Sequence, residues 1–182
     1  REIAIEVIEQ IDRMDQYVRD LLTYVRTETF DLKPVDPRHV VEAAVSRFAL
    51  VLRRQSIELS VKDQRPREVQ VLADAALLQQ ALASLLSNAV EAMPSGGDLM
   101  IAIGGRSDSK MLAIEVTDTG VGIPDHIRNN IKDEYFTTKT HGLGLGLALA
   151  AGITERMGGE LSLKSDVGKG TTATLMLPVG PK

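Results

Sequence analysis

Residues 142–147 are Gly142-Leu143-Gly144-Leu145-Gly146-Leu147, and a predicted helix over 143–157 begins within them. Glycines ahead of a helix let backbone approach an anion, and the amides and dipole of the first turn attract phosphate. The stretch lacks both the Gly-Lys-Ser/Thr ending of a P-loop and the Rossmann spacing after a strand. It therefore predicts a phosphate site of another design, with a simple turn as the alternative.

Two further glycine clusters border predicted strands. Asp118-Thr119-Gly120-Val121-Gly122 follows one strand, and Gly168-Lys169-Gly170-Thr171 precedes the last one. A loop of about 25 residues runs from Asp118 to Gly142, and a loop of that length is typical of a functional lid.

The apolar periodicity between these clusters predicts a mixture of strands and helices. Alternation predicts strands, and spacing of three or four residues predicts helices. The predicted strands are 57–61, 69–72, 99–103, 112–117, 160–164 and 171–177, and the predicted helices are 37–52, 74–93 and 143–157. Asp36 and Asp74 are predicted caps, with Pro37 at a first helical position. The order predicts an α/β (α+β) two-layer sandwich, in which helices cover a mixed sheet.

The chain before residue 31 differs from the rest. Residues 1–30 contain no glycine or proline, and their apolar residues follow an a/d heptad pattern. The pattern predicts one long coiled-coil-like helix, roughly 40 Å in length, that pairs with another helix; packing on its own domain is the alternative. Residues 31–36 form a predicted linker broken by Pro34, and residues 37–182 form the main domain.

Composition limits the function classes. The chain has 182 residues, 43% hydrophobic and 25% charged, a net charge of −4, 3% aromatics and no cysteine. These values favour a globular domain in a reducing cytoplasm. They argue against nucleic-acid binding, which usually requires a basic face. No apolar run has the ~20 residues needed to span a bilayer, so we expect any membrane anchor to lie outside this chain.

Five ordered motifs resemble the boxes of one nucleotide-binding superfamily, which contains gyrase, heat-shock ATPase chaperones, mismatch-repair ATPases and histidine kinases. The match covers about residues 37–178 and implies a Bergerat-type fold with an ATP lid. The motifs are the asparagine box at 85–92, the first glycine box at 118–122, the phenylalanine box at 135–139, the second glycine box at 142–147 and the last glycine box at 168–171.

The resemblance implies a role for each matching residue. Asn88 would coordinate Mg²⁺ that bridges the phosphates of ATP, and Asp118 would accept a hydrogen bond from the adenine amino group. Lys139 would contact phosphate and assist transfer, with a solvated lysine as the alternative. The remaining implied nucleotide-binding residues are Gly120, Gly122, Gly142, Leu143, Gly144, Leu145, Gly146 and Thr171. Among these, Thr171 resembles the threonine that supports the adenine aspartate.

The branch of the superfamily is indicated by three features. Hydrolysing members have a water-activating glutamate four residues before the asparagine, where this chain has Ser84. A hydroxyl without a base cannot supply that general-base catalysis near neutral pH. The phenylalanine box and the heptad helix, which is similar to the second helix of a dimerisation and phosphotransfer hairpin, resemble sensor histidine kinases. Some motif residues are most similar to the nitrogen-regulation type.

A phospho-accepting motif is absent from the sequence. Kinases of this type accept phosphate on a histidine within a His-Glu-hydrophobic-Arg/Lys-Asn-Pro stretch of the first hairpin helix, and this sequence has no such stretch. We interpret its three histidines, His39, His126 and His141, as surface or lid residues. The resemblance therefore implies a fragment of a protein histidine kinase that transfers phosphate to a hairpin histidine outside this chain. Its implied partners are that hairpin, in a homodimer, and the receiver domain of a response regulator. The alternatives are an anti-sigma-type serine kinase or ATPase, and a non-catalytic nucleotide-sensing dimerisation module.

Overall fold

The computed structural model of the protein describes residues 30–66, 69–104, 110–124 and 145–180. Of the helix predicted at 1–30, only Phe30 is described. The phenylalanine box and most of the predicted lid lie outside the described residues, as do His126 and His141. His39 is exposed, as predicted. No helix within the described ranges combines the length and apolarity needed to cross a bilayer.

Eleven helices and strands make up the described part. In chain order they are β1 (Lys33–Val35), α1 (Pro37–Ser46), α2 (Ala49–Arg54), β2 (Ile57–Asp63), β3 (Val71–Ala73), α3 (Ala75–Ala92), β4 (Gly97–Gly104), β5 (Met111–Asp118), α4 (Leu145–Arg156), β6 (Glu160–Asp166) and β7 (Gly170–Pro178).

The main sheet has five strands in the order β2-β4-β5-β7-β6. Strand β2 is parallel to β4, while the other neighbouring pairs are antiparallel. Alternate residues of the central strands are buried in one core with apolar residues of α1, α3 and α4. The predicted two-layer sandwich with a mixed sheet is therefore confirmed.

Helix α3 lies at the centre of the helical layer. Asp74 caps its N-terminus by accepting hydrogen bonds from the amides of Ala76, at 3.0 Å, and Leu77, at 3.2 Å. Such a cap contributes about 1 kcal/mol. The buried residues of the helix are Leu78, Ala81, Leu82, Ala83, Ser84, Leu85, Leu86, Ala89 and Val90. Each buried leucine adds about 1.5–3 kcal/mol, so packing holds the helix more firmly than its cap.

Two local predictions were wrong or incomplete. The helix predicted over 37–52 is broken, because α1 ends at Ser46 and α2 begins at Ala49. At the break, the amide of Phe48 donates to the carbonyl of Val45, which is the tighter three-residue spacing. The predicted linker 31–36 contains β1, whose residues pair antiparallel with β3.

A buried arginine ties the start of α1 to the end of β2. The Arg65 side chain is only 4% exposed and forms ion pairs with Asp36 and, at 3.3 Å, with Asp63. Its Nη1 also donates to the Val69 carbonyl at 2.6 Å. Asp36 caps α1 at the same time, by accepting the amide of Arg38 at 2.9 Å. Arg65 therefore compensates two carboxylates that the fold holds partly away from water.

Replacing this arginine tests the role of the network. We expect Arg65→Met to lower the free energy of unfolding by at least about 2 kcal/mol, because it leaves Asp36 and Asp63 without their buried cation. Arg54→Met is the matched control, since Arg54 is exposed at the end of α2. Urea denaturation measures both variants. Equal stability of the two would contradict a structural role for Arg65.

Candidate functional site

The carboxylate of Asp118 stands at the end of β5 and is the most buried acidic group of the described residues, with 6% exposure. Its Oδ1 accepts hydrogen bonds from the amide of Gly120, at 2.9 Å, and from the amide of Thr171, at 3.2 Å. No described residue donates to Oδ2. Asp118 and Thr171 are among the residues that line a cavity of about 490 Å³. The site therefore presents one fixed acceptor oxygen to a ligand.

Burial controls the electrostatics of this carboxyl group. Removal from water raises the pKa of Asp118 above its ordinary value, and the amides of Gly120 and Thr171 oppose that rise by stabilising the carboxylate. A buried charge held in this way destabilises the protein without a ligand. Perturbed ionisable groups in a cavity are characteristic of functional sites.

Glycines allow the backbone segments around Asp118 to approach one another. Gly122 has a φ of +70°, and a Cβ atom there would lie 2.1 Å from the carbonyl oxygen of Asp166. A Cβ atom at Gly170 would lie 1.9 Å from the carbonyl oxygen of Asp118. A side chain at either position would push the loop after β5 away from β6 and β7. The first and last glycine clusters thus build the wall around the carboxylate.

One face of α3 joins this loop to the start of α4. Ser84, Asn88 and Ala92 are spaced four residues apart, so they lie on the same side of the helix over about 12 Å. A Cβ atom at Gly146 would lie 2.7 Å from Ser84 Oγ and 4.0 Å from Asn88 Nδ2. At the other end, a Cβ atom at Gly120 would lie 2.6 Å from the Ala92 carbonyl oxygen. The face therefore runs from the first turn of α4 to the loop that follows Asp118.

The structure brings the described part of the predicted site together. Asp118, Gly120, Gly122 and Thr171 form one end of it, and Asn88 and Gly146 meet at the other. Lys139, Gly142, Leu143 and Gly144 lie outside the described residues. Only the backbone of Leu145 is described, at the first position of α4.

Ser165 is a site residue that sequence reasoning missed. Thr171 supports Asp118 through its backbone amide, while its hydroxyl lies 2.9 Å from Ser165 Oγ. Ser165 is 7% exposed and belongs to β6. No sequence signal distinguishes it, because a single serine in a strand has no motif of its own.

The surroundings of Asn88 are compatible with a magnesium ion that takes most of its ligands from a bound nucleotide and from water. Among the described residues no three carboxylate, imidazole or thiolate groups converge into a metal cage. Mg²⁺ usually keeps several waters and takes one or two protein oxygens together with substrate phosphates. Asn88 lies beside the start of α4, where Nδ2 is its side-chain atom nearest to a Cβ atom placed at Gly146, and its amide group includes one oxygen of the kind that Mg²⁺ binds.

Comparison with known proteins agrees with this geometry. Residues 73–181, from β3 through the whole site, match the sequence profile of the family described as histidine kinase-, DNA gyrase B-, and HSP90-like ATPase. The chain belongs to this ATPase family. The family membership confirms the resemblance drawn from the five motifs.

Relatives within the family are named as histidine kinases. The sensor histidine kinase ZraS of Escherichia coli is 33% identical over 189 residues, covering 98% of this chain and 38% of ZraS. Crystallised full-length ShkA, in complex with AMPPNP, superposes with a TM-score of 0.82 at 24% identity, covering 96% of this chain and 37% of ShkA. Histidine kinase ThkA, in complex with response regulator protein TrrA, superposes with a TM-score of 0.78 at 20% identity, over 96% of this chain and 50% of ThkA. The chain spans about two fifths of the length of the curated relatives it matches.

The buried carboxylate predicts a pH-dependent effect of Asp118→Asn. Because the folded state raises the pKa of Asp118, the contribution of Asp118 to the free energy of unfolding falls as pH rises from the ordinary value of 3.8 through the raised one. Asparagine does not titrate, so the stability of the variant relative to wild type should increase over that range. Thermal denaturation across pH measures the difference.

Asp98→Asn controls for the loss of one negative charge, since Asp98 is exposed on the neighbouring strand β4. If the stability difference between Asp118→Asn and wild type stays constant with pH, burial does not raise the pKa of Asp118 and the prediction is wrong.

Proposed function

We propose that the chain is the ATP-binding catalytic part of a two-component sensor histidine kinase. One observation supports this most directly: a single face of α3 connects the fixed acceptor at Asp118 with the first turn of α4. A nucleotide carries its base and its phosphates at opposite ends. The two ends of this face offer the chemistry that each end of ATP requires.

The acceptor end suits adenine. Both backbone amides bind Asp118 Oδ1, so Oδ2 is left to accept a hydrogen bond from the exocyclic amino group. A hydrogen bond to a charged acceptor contributes about 1.5–3 kcal/mol. A guanine base, which carries a carbonyl oxygen at the equivalent position, would place an acceptor against this carboxylate.

The opposite end suits phosphate. The first turn of α4 presents free amides and the positive end of the helix dipole beside Asn88. In the proposal, the Asn88 amide oxygen helps to hold Mg²⁺, which when bound neutralises charge on the phosphates. Gly142, Gly144 and Gly146 supply backbone amides, and Lys139 contacts phosphate from the lid.

Transfer is favoured over hydrolysis by the residue at position 84. Ser84 Oγ faces Gly146 at the phosphate end, where the hydrolysing relatives place a glutamate. A serine hydroxyl alone does not deprotonate water near neutral pH. We therefore propose that the γ-phosphoryl group passes to a histidine supplied by a hairpin helix outside these 182 residues, within a homodimer.

The proposed partner of the phosphorylated kinase is the receiver domain of a response regulator. The complex of ThkA with TrrA supports this class of partner. We place the reaction in the cytoplasm, in line with the absence of cysteine from the sequence.

The decisive experiment follows γ-labelled phosphate from Mg-ATP. The 182-residue chain is incubated alone and with a separately made hairpin domain that carries an acceptor histidine, taken from a relative of the same family. We expect acid-labile label on the hairpin and little free phosphate. A hairpin with its histidine replaced by glutamine serves as the control and should remain unlabelled.

The outcomes distinguish the proposal from its alternatives. Rapid release of free phosphate by the chain alone would move the protein to the ATPase branch. Acid-stable label on a protein substrate would favour a serine kinase. ATP binding without label on hairpins from several relatives would support a nucleotide-sensing module.

Asn88→Ala tests the phosphate end separately. Loss of the amide oxygen should weaken Mg-dependent ATP binding by at least about 10-fold and abolish phosphoryl transfer. Isothermal titration with and without Mg²⁺ measures the binding. Gln79→Ala is the matched control, because it removes another half-buried amide from the same helix, more than two turns away. Normal transfer by Asn88→Ala would refute the assigned role.

A further inference from the structure

We propose that Ser165 is a positioning residue that sets the orientation of the Asp118 carboxylate and thereby the selectivity of the site for adenine. The inference rests on the proposed function, in which Asp118 accepts a hydrogen bond from the adenine amino group. Ser165 lies on β6, and the hydrogen bonds that Asp118 accepts among the described residues come from Gly120 and Thr171. It acts through the segments on either side of Asp118.

The hydroxyl of Ser165 joins three segments of the chain. Its Oγ lies 2.9 Å from the carbonyl oxygen of Gly170, 2.9 Å from Thr171 Oγ1 and 2.8 Å from the amide nitrogen of Ile123. A carbonyl oxygen can only accept and an amide can only donate. Ser165 therefore donates to Gly170 and accepts from Ile123 and Thr171.

Thr171 transmits this arrangement to the acceptor. Its amide donates to Asp118 Oδ1 at 3.2 Å, while its hydroxyl donates to Ser165. Ile123 belongs to the loop that begins at Asp118, the same loop whose Gly120 amide is the second donor to Oδ1. Ser165 thus holds the two segments that supply the amide donors to Asp118. The Thr171 amide lies on β7, and the Gly120 amide lies on the loop after β5.

Burial makes the hydroxyl hard to replace by water. Ser165 is 7% exposed, and the backbone is closely packed at the adjacent residue, since a Cβ atom at Gly122 would lie 2.1 Å from the carbonyl oxygen of Asp166. Removal of the hydroxyl would leave an amide, a carbonyl and a second hydroxyl without their partner. Each unsatisfied buried group is costly, so the three segments should separate and the amide pair should rotate away from Oδ1.

This displacement predicts a loss that depends on the base of the nucleotide. If the amides no longer hold Oδ1, the free oxygen no longer points at one fixed place, and the hydrogen bond to the amino group weakens. Contacts to the ribose and phosphates, made elsewhere along α3 and α4, should be unaffected. A residue that merely stabilised the fold would instead weaken all nucleotides together.

The test compares ATP with purine riboside triphosphate, which lacks only the exocyclic amino group. Both are titrated with Mg²⁺ against the 182-residue chain as wild type, Ser165→Ala and Ser162→Ala. For Ser165→Ala we expect the ATP dissociation constant to rise by about 10-fold, and that of the analogue by less than about 2-fold. Ser162→Ala, on the same strand but the opposite face, should leave both constants unchanged.

The outcomes separate this inference from the proposed function. Equal weakening of ATP and the analogue by Ser165→Ala, with wild type preferring ATP, would overturn the role of Ser165 alone. A wild-type protein that binds ATP and the analogue equally would overturn the adenine contact of Asp118, and the inference with it.

A second variant guards against unfolding. Should Ser165→Ala fail to fold by circular dichroism, Ser165→Cys fills the site with a larger γ atom that hydrogen-bonds only weakly. The preference for ATP should then fall in the cysteine variant. An unchanged preference would refute the proposal.

Discussion

The close packing of α3 against the loop after β5 and against the start of α4 is the constraint on which the site depends. Gly120 and Gly146 each leave no room for a Cβ atom against this helix. Because both contacts lie on one helical face, the separation between the proposed base end and the proposed phosphate end is set by the rigid rise of α3. Shifting α3 in its layer would therefore misplace both ends together.

The packing around α3 also explains how the fold tolerates the destabilising Asp118 carboxylate at the proposed base end. Asp118 is buried where its charge is disfavoured, and only two backbone amides compensate it. The core around α3 supplies the stability that this carboxylate removes. Such an exchange of stability for binding is common at functional sites, where a fixed polar group must meet its ligand without reorganising.

The sequence was sufficient for the elements whose apolar pattern is longer than a few residues. The strand pair 99–103 and 112–117 and the capped helix after Asp74 follow from local pattern. Asn88 and Asp118 were predicted from motifs and stay proposed site residues. The three-residue strand β1 could not be predicted, since its Pro34 signals a break and its pairing with β3 is purely tertiary. The break between α1 and α2 has no glycine or proline to announce it.

Ser165 shows the same limit within the site. Its partners include Ile123, which lies 42 positions away in sequence, and Thr171, which lies on the next strand. Only the register of β6 against β7 brings them together. The motif of the last glycine cluster predicts a close backbone approach, but it does not reveal which side chain hydrogen-bonds to the segments that approach. In the proposed function, recognition of the base therefore depends on the pairing of two strands as much as on the aspartate itself, because a carboxylate held by backbone amides points where the backbone directs it.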